Sequence, residues 1–410
     1  MAKKVNRNLV VALDIGTSKV NALVGEIQAD GIEVVGVGTY PSSGLKRGVV
    51  VNIEATVNSI QQAVGDAEHM VGSPIRHVYA GIAGNHIRSL NSHGIVAIAD
   101  QEVTQDDVLR VIDAARAVAI PADQKILHIL PQEFIVDHQG GIREPIGMSG
   151  VRLEAKVHMV TGAASAAQNI IKCVQRCGLE VSEIILEQLA SSHAVLTQDE
   201  KELGVCLVDI GGGTTDIAIF HGGSIRYTSV IPIAGDQVTH DIAVALRIST
   251  CNAEQIKKKY ACALADLDTD GDDLIEVPSG IGDRLMRSIN KRMLTEVVGA
   301  RYEELFMLIR AELQKSGFKD HVTAGIVLTG GASNVIGCCE LAEAAFKLPA
   351  RIGLPQYVKG PHEIISNGIY ATGVGLLLYG YQHHHEQNKP VSTKFRGVLS
   401  RMKGWFRDNF

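Results

Sequence analysis

The sequence predicts an α/β fold of two similar domains, with a smaller α+β insertion and an amphipathic helix at the carboxyl end. Three observations predict it. Each half opens with an apolar run, a turn rich in glycine and threonine, and a second apolar run, which is typical of strands joined by a tight turn. Helical patterns follow these strands in both halves. The 410 residues are 46% hydrophobic, which is enough for more than one core.

In the first half, three apolar runs spaced as in a strand meander precede a helix. The block after them, residues 78–162, mixes short β-branched runs with a helix at residues 105–119. Thr104 can cap that helix, and Asp106 and Asp107 lie beside the positive end of its dipole. This block is the predicted insertion. The predicted strands are residues 9–15, 20–27 and 33–37, and the first predicted helix is residues 55–70.

The second half repeats this order, which suggests a duplicated unit. Its strands fall within residues 204–230, after a pair of helices and before another pair. A polar stretch, residues 381–394, predicts a flexible linker, and a short tail of basic and aromatic residues follows it. The predicted helices of this part are residues 166–177, 188–196, 253–264 and 284–313.

Charge and cysteine content argue against several classes of protein. Thirty-nine basic residues against 45 acidic ones give a formal net charge of −6, so we expect no nucleic-acid partner. The seven cysteines are odd in number and lack Cys-x-x-Cys spacing, so we expect them to be reduced. No stretch reaches the roughly 20 apolar residues of a transmembrane helix. We therefore expect a cytoplasmic chain whose membrane contact is peripheral.

The most informative segment is VDIGGGTTD, from Val208 to Asp216. Three consecutive glycines directly after an apolar strand expose backbone N–H groups, which suits the close approach of phosphate oxygens. Asp209, at the end of the strand, can hold a hydrated Mg²⁺. A plain glycine hairpin is the alternative. The phosphate-binding candidates are Gly211, Gly212, Gly213, Thr214 and Thr215.

Two further segments follow the same logic. In DIGTSK, Asp14 takes the place of Asp209 and Lys19 supplies a positive charge for phosphates. Residues 326–333 again form an apolar strand that opens into glycines, followed by a predicted helix whose N-terminus suits a nucleotide. The other candidates are Gly16, Thr17 and Ser18 in the first segment, and Gly330, Gly331, Ala332 and Ser333 in the second.

The order and spacing of the three segments resemble the phosphate-1, phosphate-2 and adenosine motifs of the actin/Hsp70/sugar-kinase superfamily. The resemblance implies an actin/Hsp70-like two-domain ATPase fold that closes on ATP and Mg²⁺, with Asp14 and Asp209 holding the metal through water. It also places Glu254 and Lys257 against the ribose and adenine. Ordinary charge pairs on an exposed helix are the alternative for these two residues.

Residues 185–190 resemble the stretch where related ATPases carry Glu-Pro near the attacking water. Glu187 is kept, whereas Gln188 replaces the proline. Glu187 is therefore a candidate for positioning water, with a structural role as the alternative. Asp14, Asp209 and Glu187 are compatible with weak ATPase activity and equally with none.

The tail, residues 395–410, has the composition of a helix that lies in a membrane interface. On a helical wheel its bulky apolar residues share one face and basic residues flank it, as expected for contact with anionic lipid. A helix that docks on its own core is the alternative. The apolar residues are Phe395, Val398, Leu399, Met402, Trp405, Phe406 and Phe410, and the flanking basic residues include Arg396, Arg401, Lys403 and Arg407.

With this tail and the insertion, the chain resembles the FtsA family of bacterial cell-division proteins over nearly its whole length. The resemblance includes residues 78–84, 129–134, 208–216, 325–333 and the tail. It implies a filament on the inner face of the cytoplasmic membrane at the division site. It also implies that the tail tethers the ring of the tubulin-like protein FtsZ and that the insertion recruits later divisome proteins. An actin-fold small-molecule kinase and a pilus-assembly adaptor ATPase remain alternatives.

The resemblance also divides the chain into domains and implies where the FtsZ C-terminal peptide docks. The expected docking region is a helix of the small subdomain that contains Arg287, Asn290, Lys291 and Arg301, for which a solvated helix face is the alternative. The expected domains are residues 1–83 with 163–203 (first actin-like domain), 84–162 (insertion), 204–234 with 324–380 (second actin-like domain), 235–323 (small subdomain), 381–394 (flexible linker) and 395–410 (membrane-targeting helix).

Overall fold

Two five-stranded sheets with the same pattern of connections form the two halves of the molecule. The computed structural model describes residues 8–265, 274–280 and 285–388. The predicted membrane-targeting tail, residues 395–410, lies outside these ranges.

The first sheet is built from an antiparallel meander to which two parallel strands are added. Its order is β11-β6-β1-β2-β3, in which β6 and β11 run parallel to β1. The strands are β1 (Leu9–Ile15), β2 (Lys19–Gln28), β3 (Gly31–Pro41), β6 (His77–Ile82) and β11 (Glu180–Leu186), and a small hairpin adds β4 (Leu45–Lys46) and β5 (Val49–Val50). The helices around it are α1 (Ile53–Val71), α3 (Ala164–Arg176), α4 (Glu187–Val195) and α5 (Gln198–Leu203).

The second sheet repeats this plan. Its order is β14-β13-β12-β17-β18, again an antiparallel meander with two parallel strands added beside its first strand. The strands are β12 (Val205–Ile210), β13 (Thr215–His221), β14 (Ser224–Ile231), β17 (Ile326–Thr329) and β18 (Ala350–Ile352). Its helices are α9 (Cys338–Phe346) and α10 (His362–Ile365), whereas the last helix, α11 (Ala371–Asn388), packs back on α4 and β1 of the first half.

The insertion and the small subdomain each add a separate unit. The insertion is a four-stranded sheet, β7-β10-β8-β9, packed on helix α2, and the Thr104 cap on α2 is present as a reciprocal box with Asp107. Its elements are β7 (Arg88–Ala97), α2 (Gln105–Arg116), β8 (Gln124–Val136), β9 (Gln139–Ile142) and β10 (Arg152–Ala163). The small subdomain contains α6 (Gly235–Leu246), α7 (Thr250–Tyr260), β15 (Leu274–Pro278), β16 (Met286–Asn290) and α8 (Lys291–Lys315).

The insertion leans on the second sheet although the chain leaves and re-enters it from the first. Ser89 Oγ donates to the Thr228 carbonyl at 3.0 Å, and Gln132 Nε2 donates to the Ile225 carbonyl at 2.9 Å. His158 Nε2 lies 3.0 Å from Thr228 Oγ1, and burial lowers the pKa of this histidine to about 4. The insertion therefore contacts both halves, with edge strand β14 as its second support.

The structure corrects the predicted start of the helix at residue 284. Met286–Asn290 is a strand, because it pairs with Leu274–Pro278 as an antiparallel hairpin. The helix begins only at Lys291, where the Asn290 side chain accepts a hydrogen bond from the Arg292 N–H at 2.7 Å. Arg287 and Asn290 consequently lie on a strand and not on the predicted helix.

Two other predictions are wrong in part. The helix predicted after Gly330 is only a 3₁₀ turn, Gly331–Asn334, and α9 begins four residues later. The predicted linker 381–394 continues α11 through residue 388, with Tyr381 half-buried against the first core. An aromatic side chain packed on that core offsets the polar composition that favoured a linker. Residues 389–394 lie outside the part of the chain that the structure describes.

Candidate functional site

Two hairpins, one from each sheet, meet at the cleft between the halves. One joins β1 to β2 and the other joins β12 to β13. Ser18 Oγ donates to Asp236 Oδ1 at 3.1 Å, from the first hairpin to the start of α6. A Cβ added at Gly213 would lie 2.6 Å from Thr17 Oγ1, and one at Gly212 would overlap Ser18 Oγ. The glycines of the second hairpin thus leave room for the hydroxyl side chains of the first.

Four acids gather where the strands of these hairpins end. Asp14 is the last residue but one of β1, while Asp209 on β12 lies directly opposite Asp216 on β13. Burial raises the pKa of Asp14 above its ordinary value. It also raises the pKa of Asp209 to about 6 and that of Asp216 to about 8, and the nearby Asp209 carboxylate adds to the shift at Asp216. Glu187, the first residue of α4, has a pKa well above its usual range because of burial and these three neighbours.

One lysine opposes this negative charge. Burial lowers the pKa of Lys19 to about 8, while Asp14 and Asp209 act in the other direction. Its Nζ lies 5.3 Å from the centre of the Tyr370 ring. With one lysine among them, the four acids are held partly protonated by burial and by one another, and a bound cation would relieve the cost of ionising them.

The donor set fits a hydrated cation better than a metal caged by protein. Within the described ranges, no group of three or more His, Cys, Asp or Glu side chains could hold a metal ion by itself. Asp216 Oδ1 is buried and has no hydrogen-bond partner among the residues that the structure describes. Asp209 Oδ2 accepts from Thr372 Oγ1 at 3.1 Å. Carboxylates with free oxygens at this point suit Mg²⁺ held through water, which supplies charge neutralisation for phosphates.

The third glycine segment lies beside the same cleft. A Cβ on Gly330 would overlap Asp209 Oδ1, and its φ of +88° is one that residues other than glycine rarely adopt. Lys257 Nζ donates to the Gly235 carbonyl at 3.0 Å and to Thr239 Oγ1 at 2.9 Å. It also pairs with Glu254 at 2.7 Å. Glu254 and Lys257, the residues predicted for ribose and adenine, thus lie together on α7 and contact the start of α6.

Some predicted hydroxyl contacts are already satisfied within the protein. Thr17 Oγ1 accepts from the Gly48 N–H at 2.9 Å, and Thr214 Oγ1 donates to Asp216 Oδ2 at 2.9 Å. Thr215 Oγ1 donates to the Ile233 carbonyl at 2.7 Å, away from the cleft. Ser333 Oγ turns back to the Gly330 carbonyl, also at 2.7 Å. The last two stabilise loops and leave backbone groups to meet a ligand.

Sequence reasoning missed two residues of the cleft. Asp216 ends the segment VDIGGGTTD and has no predicted role, although it follows Asp209 by the same seven positions that separate Asn21 from Asp14. Thr372 opens α11 and donates to Asp209 from 163 positions along the chain. No local sequence pattern predicts a contact between residues so far apart in the chain.

The four candidates for partner binding lie around α8. Arg301 pairs with Asp241 through two nitrogens, Nε and Nη2, and with Glu304. These three residues line a pocket of about 270 Å³ together with Val297 and Ala300. Arg287 Nη2 donates to the Leu246 carbonyl at 2.6 Å, Asn290 caps α8, and Lys291 is its first residue.

Comparison with known proteins gives the family. Two family models match the chain: the SHS2 domain inserted in FtsA over residues 84–161, and cell division protein FtsA over residues 206–375. The chain is 60% identical to the cell division protein FtsA of Pseudomonas aeruginosa, with all of both chains covered. The chain belongs to the FtsA family. The FtsA of Escherichia coli strain K12 is 44% identical, again over all of both chains.

Solved structures confirm the actin-like fold predicted from the sequence. The PilM-PilN type IV pilus biogenesis complex matches with a TM-score of 0.64 and 15% identity, covering 90% of this chain and 98% of that one. MreB5 of Spiroplasma citri bound to ADP matches with a TM-score of 0.58 and 15% identity, covering 94% and 99%. The predicted α+β insertion is confirmed, and the family model that matches it is an SHS2 domain. Along the described part of the chain, no helix is both long and apolar enough to cross a bilayer.

Proposed function

We propose that this FtsA-family protein binds ATP with Mg²⁺ in the cleft between its two halves. The observation that carries the proposal is the meeting of two matched hairpins, which bring Asp14, Asp209 and Lys19 to one point from separate sheets. The MreB5 neighbour of the same fold is bound to ADP in one structure and to AMPPNP in another. In this chain Asp14 and Asp209 hold the cation through water, and Lys19 meets the phosphates.

The nucleotide acts mainly as a conformational switch. Each hairpin belongs to a different sheet, so a ligand that grips both fixes the two halves relative to each other. Glu187, at the start of α4 and beside the acids, is the proposed water-positioning residue. Asp14, Asp209 and Glu187 are compatible with slow hydrolysis and equally with none, so the proposed switch depends on nucleotide binding and does not require rapid turnover.

The protein polymerises on the inner face of the cytoplasmic membrane and tethers the FtsZ ring to it. The tail, residues 395–410, supplies the anchor through its apolar face and basic flanks. A single tail of this size binds lipid reversibly, whereas a row of copies on a filament binds tightly by avidity. Support for the tether comes from family membership and from this tail pattern.

The FtsZ C-terminal peptide docks on the small subdomain, and the insertion recruits later divisome proteins. The pocket beside Arg301 is the proposed docking point, because its arginine already holds a carboxylate, that of Asp241, in bidentate geometry. A partner carboxylate can exchange with it.

The decisive experiment is co-sedimentation with vesicles of phosphatidylglycerol and phosphatidylethanolamine. We expect the full-length protein to pellet with vesicles and to bring FtsZ with it when ATP is present. A chain that ends at residue 394 should stay in solution together with FtsZ. Vesicle binding that survives this deletion contradicts the anchor. An actin-fold kinase or a pilus adaptor would instead leave FtsZ in the supernatant.

A matched pair of substitutions separates the anchor from general charge effects. Trp405→Glu puts a carboxylate on the apolar face and should abolish vesicle binding. Ser400→Glu adds the same charge on the far side of the predicted helix and should reduce binding only slightly. Equal loss in both variants would mean that net charge, and not the apolar face, governs the interaction.

A further inference from the structure

Two consecutive residues of helix α8 contact different parts of the molecule, one the pocket beside α6 and the other the 3₁₀ turn at residues 331–334. Arg301 lines the 270 Å³ pocket and keeps about a quarter of its side chain exposed, at 24%. Tyr302, the next residue, is 1% exposed and donates from its hydroxyl to the Ala332 carbonyl at 2.6 Å. Ala332 belongs to the 3₁₀ turn of the adenosine segment. The proposed docking pocket and the proposed nucleotide loop thus contact neighbouring positions of one helix.

The Tyr302 hydroxyl is held firmly in place. Its ring packs against Phe306, with 6.1 Å between centroids, and Phe306 packs edge-on against Phe346 at 5.6 Å. Burial raises the pKa of Tyr302 well above its usual range, with Cys338 and Glu254 adding to the effect, so the hydroxyl stays a donor. A fixed donor on a rigid helix sets the position of the carbonyl that it meets.

Arg301 connects the same helix to the other side of the cleft. Its guanidinium pairs with Asp241 on α6. The N-terminus of α6 is tied to the second hairpin, where the Gly235 and Asp236 N–H groups donate to the Gly211 and Gly212 carbonyls at 3.1 and 2.8 Å. Helix α8 therefore touches the phosphate side through α6 and the adenosine side through Tyr302.

We propose that Tyr302 is a positioning residue whose hydroxyl holds the adenosine loop for nucleotide and makes nucleotide occupancy and the Arg301 pocket interdependent. The inference rests on the proposed nucleotide and peptide sites. Linkage makes the effect reciprocal: whatever ATP does to peptide affinity, the peptide does to ATP affinity by the same factor.

Tyr302→Phe tests this, because it removes one hydroxyl and keeps the ring. Tyr227→Phe is the matched control. The Tyr227 hydroxyl also donates to a residue of α8, Glu312 Oε2, at 2.5 Å, but Glu312 lies far along the helix from Tyr302. We expect Tyr302→Phe to bind ATP about fivefold more weakly, the cost of one hydrogen bond. Calorimetry with ATP and Mg²⁺ measures the affinity, and thermal unfolding shows that both variants remain folded.

Hydrogen exchange and peptide binding distinguish this positioning role from a purely structural one, because a loss of packing alone would leave the effects of ATP on both measurements unchanged. In the wild type and in Tyr227→Phe, saturating ATP should slow amide exchange at residues 331–334 and at residues 297–304 of α8. It should also change the affinity for a synthetic FtsZ C-terminal peptide. In Tyr302→Phe at saturating ATP, the protection of α8 and the change in peptide affinity should be lost.

The outcomes separate this inference from the function on which it rests. If ATP protects α8 and changes peptide affinity in Tyr302→Phe as much as in the wild type, the proposed role of Tyr302 is wrong, while the nucleotide site remains intact. A wild type that shows neither heat nor protection with ATP would overturn the nucleotide site itself. A wild type that binds ATP but shows no change in peptide affinity would overturn the coupling alone.

Discussion

The two hairpins of the cleft share one backbone plan and the same first aspartate, and they differ in the other side chains that carry charge. The sequences are DIGTSKVN, from Asp14 to Asn21, and DIGGGTTD, from Asp209 to Asp216. Each pairs its first residue with its last. Each also closes its turn with an N–H to carbonyl bond of 3.0 Å, from Gly16 to Lys19 and from Gly211 to Thr214. The identical register supports the duplication that the sequence suggested.

The side chains divide the work between the two hairpins. Opposite Asp14 stands Asn21, which donates to it at 3.1 Å, while Lys19 lies nearby. Opposite Asp209 stands a second acid, Asp216. The first hairpin therefore offers hydroxyls and a positive charge, whereas the second offers bare backbone and an acidic pair. In the proposed nucleotide site each hairpin would supply one aspartate for the cation, while the first adds Lys19 and the second adds backbone N–H groups for the phosphates.

Asp209→Ala should have the largest effect on the comparison, because it removes a carboxylate that we propose holds the cation between the two hairpins. We expect at least a 100-fold loss of ATP affinity in Mg²⁺, and little difference from wild type in EDTA. Calorimetry in both buffers measures this. Asp113→Ala, on the exposed face of α2, is the control and should bind as the wild type does. Undiminished affinity in Asp209→Ala would remove the cation site from the second hairpin.

Lys19→Met should have the next largest effect on ATP affinity. It removes the positive charge beside Asp14 and Asp209 and keeps a long apolar side chain. Losing a charge-assisted contact with phosphate should weaken ATP by about 30-fold. Adenosine, which carries no phosphate, should bind both proteins equally. A similar loss for adenosine would mean that Lys19 supports the fold of the cleft and not the phosphates.

Sequence patterns predicted the hairpins well because their signals are local. A continuous apolar run and a glycine turn decide each one within nine residues or fewer, as in VDIGGGTTD. The strand Met286–Asn290 escaped prediction because it exists only by pairing with Leu274–Pro278. Its neighbours on α8 have a helical pattern, which extended the predicted helix over it.

The contacts that complete the site are all long-range. Thr372 reaches Asp209, Tyr302 reaches Ala332, and the insertion reaches Thr228 across 139 positions from Ser89. Threonine and tyrosine are ordinary residues in helices, so nothing local marks these positions. Burial and tertiary packing decide them, and these follow only from the assembled fold.

Gly212→Ala tests how the hairpins fit together. Its methyl would overlap Ser18 Oγ and crowd Ser18 Cβ, so Ser18 must turn away or the hairpins must separate, and we expect about a tenfold loss of ATP affinity. Ser18→Gly combined with Gly212→Ala moves the side chain to the other hairpin and should recover most of the loss. Gly65→Ala, in α1 with nothing within 4 Å of the added Cβ, should not weaken binding. Failure of the double substitution to recover affinity would show that the methyl acts elsewhere.

Asp216→Asn makes the second hairpin resemble the first and should change ATP affinity by less than about threefold. Its effect lies in stability. The folded-state pKa of Asp216, about 8, lies above the ordinary value of 3.8, so the native state holds an extra proton between these pH values. Wild-type stability contributed by this group is therefore lost as the pH rises through that window.

The amide carries no such proton, so the variant should gain about 2 kcal/mol over the wild type at pH 8 and converge with it towards pH 4. Urea unfolding in EDTA at both pH values measures the difference, with Asp113→Asn as a surface control. Because a bound cation favours the ionised acid pair, adding Mg²⁺ and ATP should narrow the gap at pH 8. If the difference in unfolding free energy between variant and wild type is the same at both pH values, native Asp216 is ionised at both. The acid pair would then not distinguish the second hairpin from the first by a raised pKa.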